Sequence, residues 1–191
     1  MSFLFGSNTD KQSHLEKEKE KERLSYLEKE NKSRQPISSR IQEIRHDNKS
    51  GLTSIGEATD NSISWGKATS MIIDLLPAGL KIIDDGIGIN PTRMPEILLL
   101  GNKNSLLKEN PESDDIMGKF GLGLPKGSII IGNKVTVISK DIDSNTYMTT
   151  IADWCDMSKK DIYSPITRES TPEEIEEYQS YYDRGTYVKY E

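Results

Sequence analysis

Cysteine is almost missing from this 191-residue sequence. Cys155 stands alone, so no internal disulfide can form, and with only His14 and His46 as histidines there is no Cys/His cluster to hold zinc. Also missing is any apolar run near the roughly 20 residues that span a bilayer, and Met1–Asp10 lacks the form of a signal peptide. No membrane partner is expected. A reducing cytoplasm is the expected setting, with the nucleus left open. Excess positive charge is absent too: a formal net charge of −6 argues against general nucleic-acid affinity, though a local basic patch remains compatible with it. Hydrophobic content is low for a compact domain at 34%, which points to a polar segment outside the core.

That segment is easy to find. Residues 11–34 (KQSHLEKEKEKERLSYLEKENKSR) form a charge-dense tract of strong helix formers, in which Leu15, Leu24 and Leu27 are too sparse for a heptad seam. The tract reads as a charged helical arm over 1–36, either solvated or docked on a second subunit. Pro36 marks a break, and one globular domain is expected over 37–191.

Within that domain the period changes from helical to strand-like. From Thr53 a helix is expected, with Ile55, Ala58, Thr59 and Ile63 on or near one face, closing at Gly66. Ser70–Leu76, a Pro77-Ala78-Gly79 turn and Leu80–Asp84 read as a hairpin. Thr92–Leu100 reads as a short helix and 101–117 as a long polar loop. Lys134–Lys140 and Thr146–Asp153 alternate like antiparallel strands, and Thr186–Tyr190 is a last strand. Thr171-Pro172-Glu173-Glu174 is a helix start with Thr as N-cap, Pro at the first position and Glu at the third. The class implied is α+β, with a helix layer over one face of a largely antiparallel sheet.

Three strings carry chemistry. Glu57 and Asn61, four apart, share one face of the first helix one turn from each other. A carboxylate there suits a proton acceptor for an attacking water, and a carboxamide oxygen suits Mg²⁺, which keeps several waters and borrows phosphate oxygens. Ser54 and Glu57 also fit a plain capping box, so this string has a structural reading as well. Asp84-Asp85-Gly86-Ile87-Gly88 ends an Ile-rich strand. A carboxylate buried at such a strand end accepts from an exocyclic amine, and glycines let a ligand approach the backbone; an ordinary Asp-Gly turn is the alternative. Gly118-Lys119-Phe120-Gly121-Leu122-Gly123 is a G-x-x-G-x-G string after a polar loop. That context speaks against a dinucleotide-binding fingerprint, which needs a strand before it, and no Walker A loop is present. What remains is either a plain flexible turn or a glycine loop whose amides, with those of the helix behind it, suit phosphates, with Lys103, Lys119 and Lys126 close in sequence to add charge.

In order and spacing, E-x-x-D-N, D-D-G-x-G and G-x-x-G-x-G resemble the GHKL (Bergerat-fold) superfamily of ATPases and histidine kinases, and Arg184–Tyr190 (RGTYVKY) resembles its closing G-T-x-V strand. The resemblance covers about Ile41 to Glu191. It implies a two-layer α/β sandwich, helices over a mixed, largely antiparallel sheet, with ATP and Mg²⁺ as ligands. It assigns Glu57 as general base, Asn61 as Mg²⁺ ligand, Asp84 as adenine reader and Thr186 as its helper. Gly86 and Gly88 would give room beside the base, Gly118, Gly121 and Gly123 would hold phosphates with the intervening Lys119, Phe120 and Leu122, and 101–117, including Lys103, would be an ATP lid. Glu57 places the chain with the hydrolytic branch, nearest in appearance to MORC-type and heat-shock-chaperone-type ATPases, and a homodimer is implied when ATP is bound. A non-catalytic ATP-binding domain and a histidine-kinase catalytic domain are the rival readings. Three departures stand out: Ser64 where relatives often carry Asp, Pro125 where MORC-like sequences favour Lys, and an end at Glu191 with no transducer domain to supply a lysine to the γ-phosphate. Slow turnover by this chain alone is the expected consequence.

Overall fold

The computed structural model describes residues 36–47, 50–100 and 123–191. The helical arm expected before Pro36, the loop at 101–117 with Lys103, and Gly118 to Leu122 lie outside the described residues. The chain separates into two units, Met1–Pro36 and Ile37–Glu191, and the second is the one described below.

Two helices, α1 (Ile37–His46) and α2 (Gly51–Ser64), lead into the hairpin β1 (Met71–Leu76) and β2 (Gly79–Asp84). A single 3₁₀ turn, Met94–Glu96, follows; then α3 (Gly123–Ile131), β3 (Lys134–Lys140), β4 (Tyr147–Asp153), α4 (Trp154–Lys160), β5 (Ile166–Glu169), α5 (Pro172–Gln179) and β6 (Gly185–Tyr190). The strands form one sheet in the order β1-β2-β6-β3-β4-β5, and all its pairings are antiparallel. Placing the last strand between β2 and β3 is the decisive topological fact, because it lays Thr186 beside Asp84 on one side and Ser139 on the other.

Strand alternation sorts the side chains between two layers. Leu80 and Ile82, Val188 and Tyr190, Val135 and Val137 point to the face covered by the early helices, where Ile41, Ala58, Ile129 and Trp154 complete the main core. Trp154 is wholly buried, yet its indole N–H donates to Ser128 Oγ at 3.1 Å, and Ser128 in turn donates to the Pro125 carbonyl at 2.8 Å. The large ring therefore fills volume without stranding a donor, and it fastens the first turn of α3. Arg45 holds α1 to the other end of α3, donating to Ile129 O and Asn133 Oδ1. The intervening positions, Ile83, Ile138, Tyr147 and Tyr187, form a second, smaller cluster on the opposite face, which α5 covers through Tyr178.

Several expectations shift in detail. Thr92–Leu100 does not form a continuous helix: only Met94–Glu96 winds, and Leu98 and Leu100 are tied instead to the Tyr163 hydroxyl. In α2 the N-cap is Ser50, whose hydroxyl accepts from Thr53 N at 3.2 Å, so Ser54 is an interior residue and the capping-box reading of Ser54 and Glu57 falls. The face that α2 buries is Ser54, Ala58 and Ser62, with Ile55 packed against the core, whereas Ile63, expected on or near that face, is 54% exposed. β1 ends the sheet, with Ile73 and Leu75 exposed along it.

Candidate functional site

Asp84 is the last residue of β2 and is only 3% exposed. Its partners are all neutral. Oδ2 accepts from Ser62 Oγ at 2.7 Å, and Oδ1 accepts from the backbone amides of Gly86 at 3.0 Å and Thr186 at 3.2 Å. A carboxylate offers about four lone-pair positions. Donors among the described residues fill three of them, which leaves one. Burial pushes the Asp84 pKa above its ordinary value, while the Ser62, Gly86 and Thr186 hydrogen bonds pull the other way and Asp85 adds to the rise. The neighbouring acid behaves oppositely. Asp85 is half-buried, accepts from Thr69 Oγ1 at 2.7 Å and from the amides of Thr69 and Ser70 at 2.8 Å, and is held below its usual value, first by Thr69. One acid clamps a turn, and the other faces the interior beneath α2.

The glycines between and after them answer to the chain's own backbone. A Cβ at Gly86 would fall on the carbonyl oxygen of Gly66, at the end of α2, and Ile87 N donates to that same oxygen at 2.7 Å. Gly88 takes φ +74°, and a Cβ there would meet the Lys140 carbonyl. The D-D-G-I-G turn is thus sewn to α2 on one side and to the end of β3 on the other.

Ser62 links this strand end to the helix that carries Glu57 and Asn61. Both are half-buried and stand on the flank of α2 next to α3. There Gly123, the first residue of α3, comes so close that a Cβ on it would sit 3.2 Å from Glu57 Oε2 and 3.8 Å from Asn61 Nδ2. Four residues on, a Cβ at Gly127 would lie 3.2 Å from Ser54 Cβ. Two glycines one turn apart therefore let α3 lie against α2 at backbone distance, with the described end of the glycine string pressed to the acid–amide pair.

Thr186, half-buried, completes the row across β2, β6 and β3. Its hydroxyl lies 3.2 Å from Ser139 Oγ. Neither Ser62 nor Ser139 figures among the residues expected from sequence, because neither belongs to a motif. The signal for Ser139 was its phase: the inward alternation of Val135 and Val137 lands next on a serine. A cavity of about 400 Å³ lined by Asp85, Tyr182, Asp183 and Arg184 shares none of the residues Glu57, Asn61, Asp84 or Thr186.

An antiparallel sheet under helices, with a buried strand-end acid facing a helix that bears an acid and an amide, defines a nucleotide-binding α+β domain. A family model described as histidine kinase-, DNA gyrase B-, and HSP90-like ATPase matches residues 52–182, and the chain belongs to that family. It is a GHKL-type ATP-binding domain. No curated protein matches the chain.

Proposed function

We propose that this domain binds ATP with Mg²⁺ and hydrolyses it. The observation that carries the reading is the valence of Asp84. Among the described residues this carboxylate, buried to 3% exposure, has three neutral donors, and that leaves one acceptor position for a ligand that brings its own N–H. The exocyclic amine of adenine supplies one. A buried acceptor of this kind rejects a ligand that lacks the donor, because the carboxylate would then be desolvated and unpaired.

Mg²⁺ fits the donor set. Among the described residues no group of three His, Cys, Asp or Glu side chains gathers to cage a metal, and Mg²⁺ does not ask for one, since it keeps waters and phosphate oxygens around a single protein ligand. Asn61 would hold it through the carboxamide oxygen; when bound it would supply positive charge at the phosphate oxygens. Glu57, one turn away, takes the proton of the water that attacks the γ-phosphorus, and the bond from phosphorus to the bridging oxygen breaks to give ADP and phosphate. Phosphate cradling by Gly118–Gly123, lid closure by 101–117 and ATP-dependent pairing of two copies belong to the same proposal. They rest on the resemblance, with Gly123 against Glu57 as the one contact that supports them.

A thermal shift tests binding. Mg²⁺-ATP at about 100 times Kd should stabilise the protein by about 2.7 kcal/mol, and the shift should vanish in Asp84→Asn. No shift for the unmutated chain with ATP or ADP removes the reading. Phosphate release then separates hydrolysis from mere binding: Glu57→Ala should abolish it, and equal inactivity of both proteins with ATP bound would leave a domain that reads ATP without cleaving it. Transfer of labelled phosphate to a partner histidine would favour the kinase reading.

A further inference from the structure

Ser139 is wholly buried, lies in no recognised motif, and makes three hydrogen-bond contacts with one hydroxyl. Proton counting gives them direction. A serine hydroxyl has one proton to donate and two lone pairs to accept with. The Gly185 carbonyl, 2.7 Å away, can only accept, so the Ser139 proton goes there. The Ile89 amide, at 2.9 Å, can only donate, so it takes one lone pair. The remaining position faces Thr186 Oγ1 at 3.2 Å and is a lone pair, so the Thr186 hydroxyl must be the donor in that contact. Thr186 therefore spends its only proton inward. Among the described residues no donor takes either of its lone pairs, which lie beside the remaining acceptor position on Asp84, to whose Oδ1 the Thr186 amide is bonded.

We infer that Ser139 is the specificity-setting residue of the base site: it fixes the polarity of the Thr186 hydroxyl so that Asp84 and Thr186 together present acceptors alone, which selects a 6-amino purine over a 6-oxo purine. The inference rests on the proposed ATP site. A 6-amino group carries two N–H donors and meets two acceptors, directly or through one water. A 6-oxo group places an oxygen against the same two oxygens, and neither can turn a proton toward it. Ser139 touches no ligand in this scheme and acts through Thr186, as a positioning residue. Its bond to Ile89 N also holds the turn that follows Asp84, so the test must separate selectivity from simple support.

ATP and ITP differ at this edge and are otherwise matched, so competitive binding of the two to the full chain reads the effect. The unmutated protein should prefer ATP by roughly 100-fold or more. In Ser139→Ala the Thr186 hydroxyl is free to rotate and donate outward, and the preference should fall by about tenfold, mainly through tighter ITP binding. Ser139→Thr keeps the hydroxyl and should restore the preference. A purely structural role would weaken both nucleotides equally and leave the ratio unchanged, and that result overturns the inference. Should the alanine variant fail to fold, Ser139→Cys keeps the volume with a weak donor and acceptor, and its ratio must be intermediate; an unchanged ratio again overturns the inference. Absence of ATP binding by the unmutated protein defeats the proposed function itself, whereas selective ATP binding with an unmoved ratio defeats only the role of Ser139.

Discussion

Three adjacent strands carry two opposite environments at the same end of the sheet, one residue apart. Asp84, Thr186 and Ser139 face the helix layer; Ile83, Tyr187 and Ile138 face α5. On the α5 side the aromatic cluster is sealed and cross-braced. Arg168 grips Glu174 with two bonds of 2.7 and 2.8 Å, and Lys81 reaches Glu177 at 2.8 Å while lying over the rings of Tyr181 and Tyr187. On the helix side the end of the sheet holds a carboxylate and two hydroxyls, and among the described residues no cation bonds to Asp84. The sealed face pairs its charges, whereas the candidate site holds its acid with neutral donors among the described residues. The two acids show it directly, since Glu174 is drawn down to about 2, chiefly by Arg168, while Asp84 is pushed up by burial.

That contrast can be attacked at its hinge. Gly185 begins the strand shared by both faces, at φ +115°, and a Cβ there would land on the Asp84 carbonyl and lie 2.8 Å from Gly86 N. Gly185→Val should cost about 3 kcal/mol or more, read by urea denaturation, and should remove nucleotide binding as well. Wild-type stability in that variant would mean the two faces are not locked together as described.

On the sealed side, Glu174→Gln leaves the Thr171 cap in place but discharges the pair. Arg168 is 38% exposed, so solvent screening reduces the expected loss to about 1 kcal/mol. The pH dependence has a definite sign. Glu174 is depressed from 4.5 to about 2, so its contribution is present above pH 4.5 and fades as pH falls toward 2. Melting temperatures across that window should drop less in the variant than in the unmutated protein.

Tyr178 offers a test of the opposite direction. It is fully buried, and among the described residues its hydroxyl has no hydrogen-bond partner. Tyr178→Phe should therefore stabilise the domain by up to about 1 kcal/mol, since it removes a desolvated group that gains nothing in return. A clear loss of stability would mean that the hydroxyl is satisfied after all.

Asp84 should give the mildest effect on the ligand-free protein. Its raised pKa means that the folded state holds this proton more tightly than the unfolded state does. Its contribution is then full below 3.8 and is lost as pH rises through the folded value. Asp84→Asn should flatten that decline and leave the ligand-free domain at least as stable at neutral pH, although it loses ATP. Marked destabilisation would place Asp84 with the structural acids.

Legibility in the sequence followed local periodicity. The β1–β2 hairpin, β3, β4, β6 and the Thr171 cap with Glu174 were readable because each announces itself within a few residues. What escaped was α1, although Ile37, Ile41 and Ile44 recur at helical spacing, because it adjoins a tract of charge; α4, whose seven residues show only Trp154 and Met157 inward; and β5, four residues long. At the candidate site, Glu57, Asn61 and Asp84 stood out in the sequence because their types and spacing are unusual. Ser62 and Ser139 were not, because a serine acquires its role only from what the sheet order sets beside it.

One consequence of the sheet order concerns how the protein behaves in a concentrated solution. Among the described residues β1 is an end strand of the sheet, and its run Met71-Ile-Ile-Asp-Leu-Leu76 presents Leu75 at 77% exposure. Asp74, opposite Lys81, is the only charge in that run. A solitary acid in the middle of such a strand acts as a gatekeeper against fibril-like stacking of one chain on the next. Colloidal stability of the domain is therefore expected to depend on Asp74, which lies outside the candidate site.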